Sequence, residues 1–198
     1  SQVGGVILFS ENLVDSHQIT RLNHDLQMAA AESELKLPLF IATDQEGGRV
    51  ARLPRHASTP LSGNMAIGAT FERYGTEFAE QAGKILGAEL NGLGINVNFA
   101  PTLDVNNNPD NPVINVRSFG ESPDRVADLG SAMLKTMQAQ GVIGTLKHFP
   151  GHGDTQVDSH TGLPRVEHSV DTVMTQDVAP FAQAINTQQV KMIMTAHI

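Results

Sequence analysis

The chain has 198 residues, 13 Lys+Arg against 21 Asp+Glu, a formal net charge of −8, 18 Gly, 10 Pro and neither Cys nor Trp. With 40% hydrophobic and 17% charged residues it buries a core and is not disordered, and its acidic balance argues against binding nucleic acid or an anionic membrane, which rely on dense Lys/Arg. The lack of Cys removes disulfides, thiolate metal sites and a Cys nucleophile, and suits a reducing compartment.

The N-terminal SQVGGVILFSEN lacks the charged region, long apolar run and cleavage site of a signal peptide. GGVILFS, from Gly4, reads as a first strand, and Asp15 to Leu37 as a helix. Ile19, Leu22, Leu26, Ala29 and Ala30 lie close to a 3.6 period there, with Asp15 or Ser16 as cap. PLFIAT, from Pro38, is a second strand and leads into ATDQEGGRVARL. A helix is predicted over Phe71 to Leu93, a third strand at INVNFA from Ile95, then a long loop from Pro101 to Glu121 dense in Asn, Pro and Asp. Ser122-Pro123 caps a helix running to Gln140, which Gly141 closes. VIGTLKHF, from Val142, is the fourth strand, and a second long loop spans Phe149 to Val170. A helix over Val173 to Gln188 and a fifth strand, VKMIMTAH from Val190, complete the chain. The strands are too continuously apolar for one-sided exposure, as in a parallel sheet covered on both faces.

Strands alternating with helices predict right-handed βαβ units and an α/β fold. Periodicity leaves a doubly wound sheet and a barrel both open. The placement of polar residues favours a barrel: Asp44, Gln45 and Glu46 follow the second strand, Asp104 the third, Lys147 and His148 end the fourth, and His197 follows the fifth. Barrel active sites are built at those C-terminal ends, and a complete eight-unit barrel needs roughly 250 residues. The expectation is a (β/α)8 TIM-type barrel of which residues 1–198 cover about five βα units, with both ends cut inside a larger catalytic domain.

The loop KHFPGHGDTQVDSHTGLP, Lys147 to Pro164, gathers three His, two Asp and a Lys in 18 residues. Three roles compete for it. Asp158 and His160, one residue apart, point the same way in extended backbone, and a carboxylate on one ring nitrogen leaves the other to move a proton near neutral pH. His148, His152, Asp154 and His160 could instead ligate a metal, although their spacing matches no compact zinc signature. The third role is structural, bracing a tight loop. In ATDQEGGRVARL, Asp44 with Arg49 and Arg52 suits a hydroxyl-rich ligand, or Asp44 and Arg52 pair with each other to brace the loop. Arg117, in NVRSFG, sits in the Asn/Pro loop, where a lone Arg is more often a loop brace or solvated. Lys147 ends a buried strand, where Lys is rarely only solvated, and should reach into the site.

These residues carry a resemblance. GGVILFSEN, ATDQEGGRVARL, GINVNFAPTLDV, VIN-VRSFG and above all KHFPGHG…DSH, in that order, resemble the family 3 glycoside hydrolases, in their bacterial β-N-acetylglucosaminidase branch acting in peptidoglycan recycling. The resemblance covers nearly the entire chain. It implies retaining hydrolysis through a covalent glycosyl-enzyme intermediate, with His160 as general acid/base and Asp158 as its partner. It also implies that Asp44, Arg52, Arg117, Lys147 and His148 hold the N-acetylglucosamine ring. The sugar would leave from 1,6-anhydro-N-acetylmuramic acid or its peptide conjugates, in a cytoplasmic monomer that needs no cofactor or metal and binds neither nucleic acid nor membrane. The family's nucleophile is an Asp at the end of a later strand, beyond Ile198, and its first barrel strand precedes GGVILF, so these 198 residues alone are expected to be inactive. Asp104 matches a structural or substrate-side position. Two other readings stand beside this one: a metal-dependent hydrolase using the His/Asp loop, and a carbohydrate-binding barrel without catalysis.

Overall fold

The computed structural model of the protein describes residues 3–154 and 169–197. β1 (Gly5–Leu8) leads to α1 (Ser16–Ala31) and β2 (Phe40–Thr43), and a short hairpin of β3 (Gln45–Gly47) and β4 (Val50–Ala51) follows at once. Next come α2 (Asn64–Gly68), α3 (Phe71–Tyr74), α4 (Glu77–Gly92), β5 (Val97–Asn98), α5 (Pro123–Gln138) and β6 (Ile143–Phe149). After α6 (Val170–Thr172) a π-helical turn over Val173–Asp177 leads to α7 (Ala179–Asn186) and β7 (Met192–Thr195).

All five expected strands form one sheet in the order β1-β2-β5-β6-β7, and every neighbouring pair is parallel. The order in space follows the order in sequence without reversal. A doubly wound sheet reverses at a switch point, whereas a barrel wall steps one way round; the fold is a TIM-barrel-like α/β arrangement of which this chain forms part of the wall. Among the described residues no helix is long and apolar enough to cross a membrane.

Local chemistry sets the helix starts. Asp15 Oδ1 accepts the Gln18 amide at 2.8 Å and opens α1. Ser122 caps α5 with Pro123 in its first turn, and Gly141, at φ +89°, turns the chain towards β6. The helix expected over Phe71 to Leu93 is divided, because Gly75 adopts φ +54° between α3 and α4. α1 also ends at Ala31, short of Leu37.

Leu86 and Leu90 of α4, Leu129, Met133, Leu134 and Met137 of α5, Ile41, Ile95, Leu146 and Phe181 form one buried cluster between helices and sheet. Burying each such side chain stabilises the fold by about 1.5–3 kcal/mol. α4 lies so near α5 that a Cβ on Gly87 would stand 2.6 Å from the carbonyl oxygen of Met137. Two-sided cover holds for β5, β6 and for β2 from Ile41 onward but not for the outer strands: Ile7 on β1 is 50% exposed and Ile193 on β7 38%. Among the described residues those strands have a neighbour on one side only.

Candidate active site

Parallel strands in register bring their C-terminal ends to one rim, and the charged residues buried there come from β6 and from the segments that follow β2 and β5. Beyond β2, alternation sends Asp44 and Glu46 to one side and Gln45 to the other. Gln45 Oε1 accepts the amides of Arg52 and Leu53 at 2.8 and 3.1 Å, and Asn98 on β5 bonds both the amide and the carbonyl of Gln45 at 2.9 Å. The hairpin is thereby fixed from behind while its carboxylates face the rim.

Opposite them stands Lys147, 1% exposed, with Nζ 2.7 Å from both Asp44 Oδ1 and Glu46 Oε1. Strict alternation would send Lys147 and His148 to opposite faces. The pairing of β6 with β7 instead passes from Lys147↔Met194 to Phe149↔Thr195. His148 lies at this register shift and follows a cis peptide bond, and an irregularity in a strand re-aims side chains at barrel rims. Both side chains consequently reach carboxylates at the rim.

Arg117 arrives from the Asn/Pro loop and clamps Glu46 with two bonds, Nε to Oε2 at 2.9 Å and Nη2 to Oε1 at 2.7 Å. Its Nη1 donates to the Val113 carbonyl at 3.2 Å, and Nη2 lies 3.5 Å from His148 Nε2. The backbone amide of Leu103 donates to the Lys147 carbonyl at 2.7 Å, which sets Asp104 beside His148. Asp104 Oδ2 is 2.6 Å from His148 Nδ1, while Oδ1 accepts the amides of His148 and His152 at 3.2 and 2.7 Å.

Three carboxylates, of Asp44, Glu46 and Asp104, thus share the rim with the side chains of Lys147 and Arg117. Burial pushes the Glu46 carboxyl up, yet the hydrogen bonds and charges of Arg117 and Lys147 outweigh it and hold Glu46 below its usual range. Asp104 follows the same pattern: burial raises it, and His148 with the two amides brings it below the ordinary value. Burial alone would lower Arg117, but its bonds to Glu46 keep the guanidinium proton still more firmly. Burial lowers His152 and favours its neutral form.

Asn111 joins the two long loops at their roots. Its Nδ2 donates to the carbonyls of His152 and Gly153 at 2.8 and 3.0 Å, and its Oδ1 accepts the amides of Val113 and Ile114 at 2.8 and 2.7 Å. The loop carrying Arg117 and the loop that continues to Asp158 and His160 are held by one side chain.

The structure brings together Asp44, Arg117, Lys147 and His148 from the sequence-predicted set. Arg52 stands apart: its amide serves Gln45, and its Nε is buried without a hydrogen-bond partner among the described residues. The Asp44–Arg52 brace does not form among those residues, because Lys147 reaches Asp44 from two strands away. Asp158 and His160 lie outside the described residues. Glu46 was not assigned a role from sequence, although its i, i+2 relation to Asp44 on an extended backbone is a signal that could have found it. The contacts of Asp104 had no local signal, since they form across 44 and 48 residues of sequence. Among the described residues no group of three or more His, Asp or Glu is arranged to hold a metal, and His148 Nδ1 is engaged by Asp104.

A family model described as Glycosyl hydrolase family 3 N terminal domain matches residues 1–198. Beta-hexosaminidase A of Pseudoalteromonas piscicida is 58% identical over 196 residues, covering 99% of this chain and 33% of that protein. A glycoside hydrolase family 3 β-N-acetylglucosaminidase from Paenibacillus sp. str. FPU-7 superposes with a TM-score of 0.93 at 49% identity, over 98% of this chain and 36% of that one. NagZ from Neisseria gonorrhoeae, solved in complex with N-trifluoroacetyl-D-glucosamine, gives a TM-score of 0.88 at 34% identity, over 98% of this chain and 56% of that one. The chain therefore spans a third to just over half of the length of these relatives.

Proposed function

Since the chain belongs to glycosyl hydrolase family 3, in the N-terminal domain of that family, we propose that the full protein is a retaining β-N-acetylhexosaminidase and that the Lys147-centred rim holds the N-acetylglucosamine ring. The observation that carries this reading is the cluster itself: Lys147, Asp44, Glu46, Arg117 and His148, buried or half-buried at the strand ends of a barrel wall. Lys147 donates to Asp44 and Glu46, and an ammonium has three hydrogens, so one donor is left for a sugar hydroxyl. Asp44 is one-fifth exposed, and its Oδ2 has no hydrogen bond among the described residues, which suits an acceptor for a hydroxyl.

In the proposed reaction an Asp on a later strand of the longer protein attacks the anomeric carbon while His160, oriented by Asp158, gives its proton to the departing oxygen. His160 then takes a proton from water, which attacks the same carbon and frees the Asp. Neutral His160 has no charge to repel the anionic nucleophile while it waits as a base. Arg52 is proposed as a further contact to the sugar. The proposed substrate is N-acetylglucosaminyl-1,6-anhydro-N-acetylmuramic acid and its peptide conjugates.

Release of N-acetylglucosamine from that anhydromuropeptide by the full-length protein tests the leaving group. The activity itself is tested with nitrophenyl glycosides: release from the N-acetyl-β-glucosaminide and little from the β-glucoside is expected, and equal release or none would overturn the proposal. His160→Ala should slow the natural substrate far more than the nitrophenyl one, whose leaving group needs no proton. Equal losses would remove the acid role.

A further inference from the structure

We infer that Asp104 is a positioning residue for this site: it fixes the His148 imidazole with its proton on Nδ1, so that Nε2 faces the sugar pocket as an acceptor, and it ties the stem of the next loop to the same carboxylate. The inference rests on the hexosaminidase reading of the rim.

Asp104 is 0% exposed, and a buried carboxylate persists only when its oxygens are hydrogen-bonded. Oδ1 takes two backbone amides, which are obligate donors, and Oδ2 faces His148 Nδ1 at 2.6 Å. Burial alone would favour the protonated acid, yet the two amide hydrogens converging on Oδ1 and the imidazole beside Oδ2 favour the ionised form. An ionised carboxylate only accepts, so the hydrogen of the short contact belongs to Nδ1. A neutral His148 then carries its lone pair on Nε2, 3.5 Å from Arg117 Nη2, which only donates. The opposite tautomer would set N–H against N–H at Arg117 and a lone pair against the carboxylate, two repulsions in place of two attractions. A ligand hydroxyl that meets Nε2 is therefore read as a donor.

The second bond of Oδ1 gives the residue its wider reach. His152, whose amide it holds, begins the stretch that continues to Asp158 and His160. At the neighbouring Gly153 a Cβ would collide with the carbonyl oxygen of Val105, so the stem is fitted against the Asn/Pro loop as well. One carboxylate thus stands where the sugar-holding strand end and the acid/base loop meet.

Asp104→Asn tests this with little change of shape. The two amides demand an oxygen, so the Asn carbonyl turns to them and its NH2 faces His148, which must then accept at Nδ1 and carry its proton on Nε2. Loss of the correct tautomer through such a change is severe in the serine-protease triad. The full-length protein, labelled with 15N-histidine and assigned by the signal lost in His148→Gln, reports the tautomer directly. The expected result is Nδ1–H in the wild type, Nε2–H in Asp104→Asn, and a fall of at least about tenfold in kcat/KM for the N-acetylglucosaminide, the equivalent of one lost charge-assisted hydrogen bond. In a His148→Gln background Asp104→Asn should add little, because it acts through His148.

A wild-type His148 protonated on Nε2, as the other tautomer or as the imidazolium, overturns the inference. So does an unchanged kcat/KM in Asp104→Asn, or losses that multiply with His148→Gln. If Asp104→Asn does not fold, the wild-type spectrum still decides. Absence of N-acetylglucosaminide hydrolysis by the wild type would defeat the hexosaminidase reading and leave the tautomer measurement standing.

Discussion

Replacing Lys147 by Met removes the charge that two carboxylates share and keeps most of the buried stem. Breaking a buried ion pair from one side costs about 3–5 kcal/mol, because it strands the opposite charge. Two features of the rim lower that figure. Glu46 keeps both bonds from Arg117, at 2.9 and 2.7 Å, and Asp44 is 20% exposed and can take water. The expected loss is about 3 kcal/mol, a fall of roughly 6–12 °C in the melting of a domain of this size. Calorimetry of the full-length protein, following the transition of this domain, measures it. The loss must also depend on pH. Glu46 is held below its ordinary value of 4.5 partly by Lys147, so the stability it provides is present above that pH and disappears as pH falls through the lowered value. The gap between wild type and Lys147→Met should be widest above pH 4.5 and narrow as pH falls through the lowered value. A loss under about 1 kcal/mol, or a gap that widens as pH falls below 4.5, would refute the claim that Lys147 neutralises the rim.

Acid should destabilise this domain in steps of one sign. Burial lowers His152 from 6.5, and Glu46 and Asp104 lie below 4.5 and 3.8, so each favours the fold above its ordinary pKa and ceases to as pH falls through its lowered one; melting temperature should decline from neutral pH to pH 4, and a rise would contradict the assignment. Gly153→Ala should cost about 1–3 kcal/mol by driving a methyl into the Val105 carbonyl, whereas Gly92→Ala, with nothing within 4 Å, should be neutral or stabilising in the same melting assay. Hydrolysis by the full-length protein should survive EDTA; its loss, with recovery on adding zinc, would favour the metal-hydrolase reading.

The parallel sheet could be read from sequence because its strands are continuous apolar runs, and all five form where those runs lie. Helix limits were harder. Gly75 breaks a pattern that the apolar period carries straight through, and α1 stops six residues before Leu37 although apolar residues continue. The β3–β4 hairpin escaped because its few residues are polar or small and are held by Gln45 and Asn98 rather than by apolar alternation. Asp44, Lys147 and His148 were legible as polar residues at strand ends. That Lys147 and His148 share a face was not, since a local irregularity of a strand leaves no mark in composition. Arg117 could be seen as a lone Arg in a loop, but its partner Glu46 is 71 residues away. Long-range hydrogen bonds of this kind follow from the barrel, not from any local pattern.

The Lys147 rim is proposed to hold N-acetylglucosamine, and a crystal structure of the full-length protein with that sugar decides it. The ring is expected at the strand ends, hydrogen-bonded to Lys147, Asp44 and Arg117 and with a hydroxyl on His148 Nε2. A sugar bound elsewhere, with this rim closed on its own ion pairs, would contradict it.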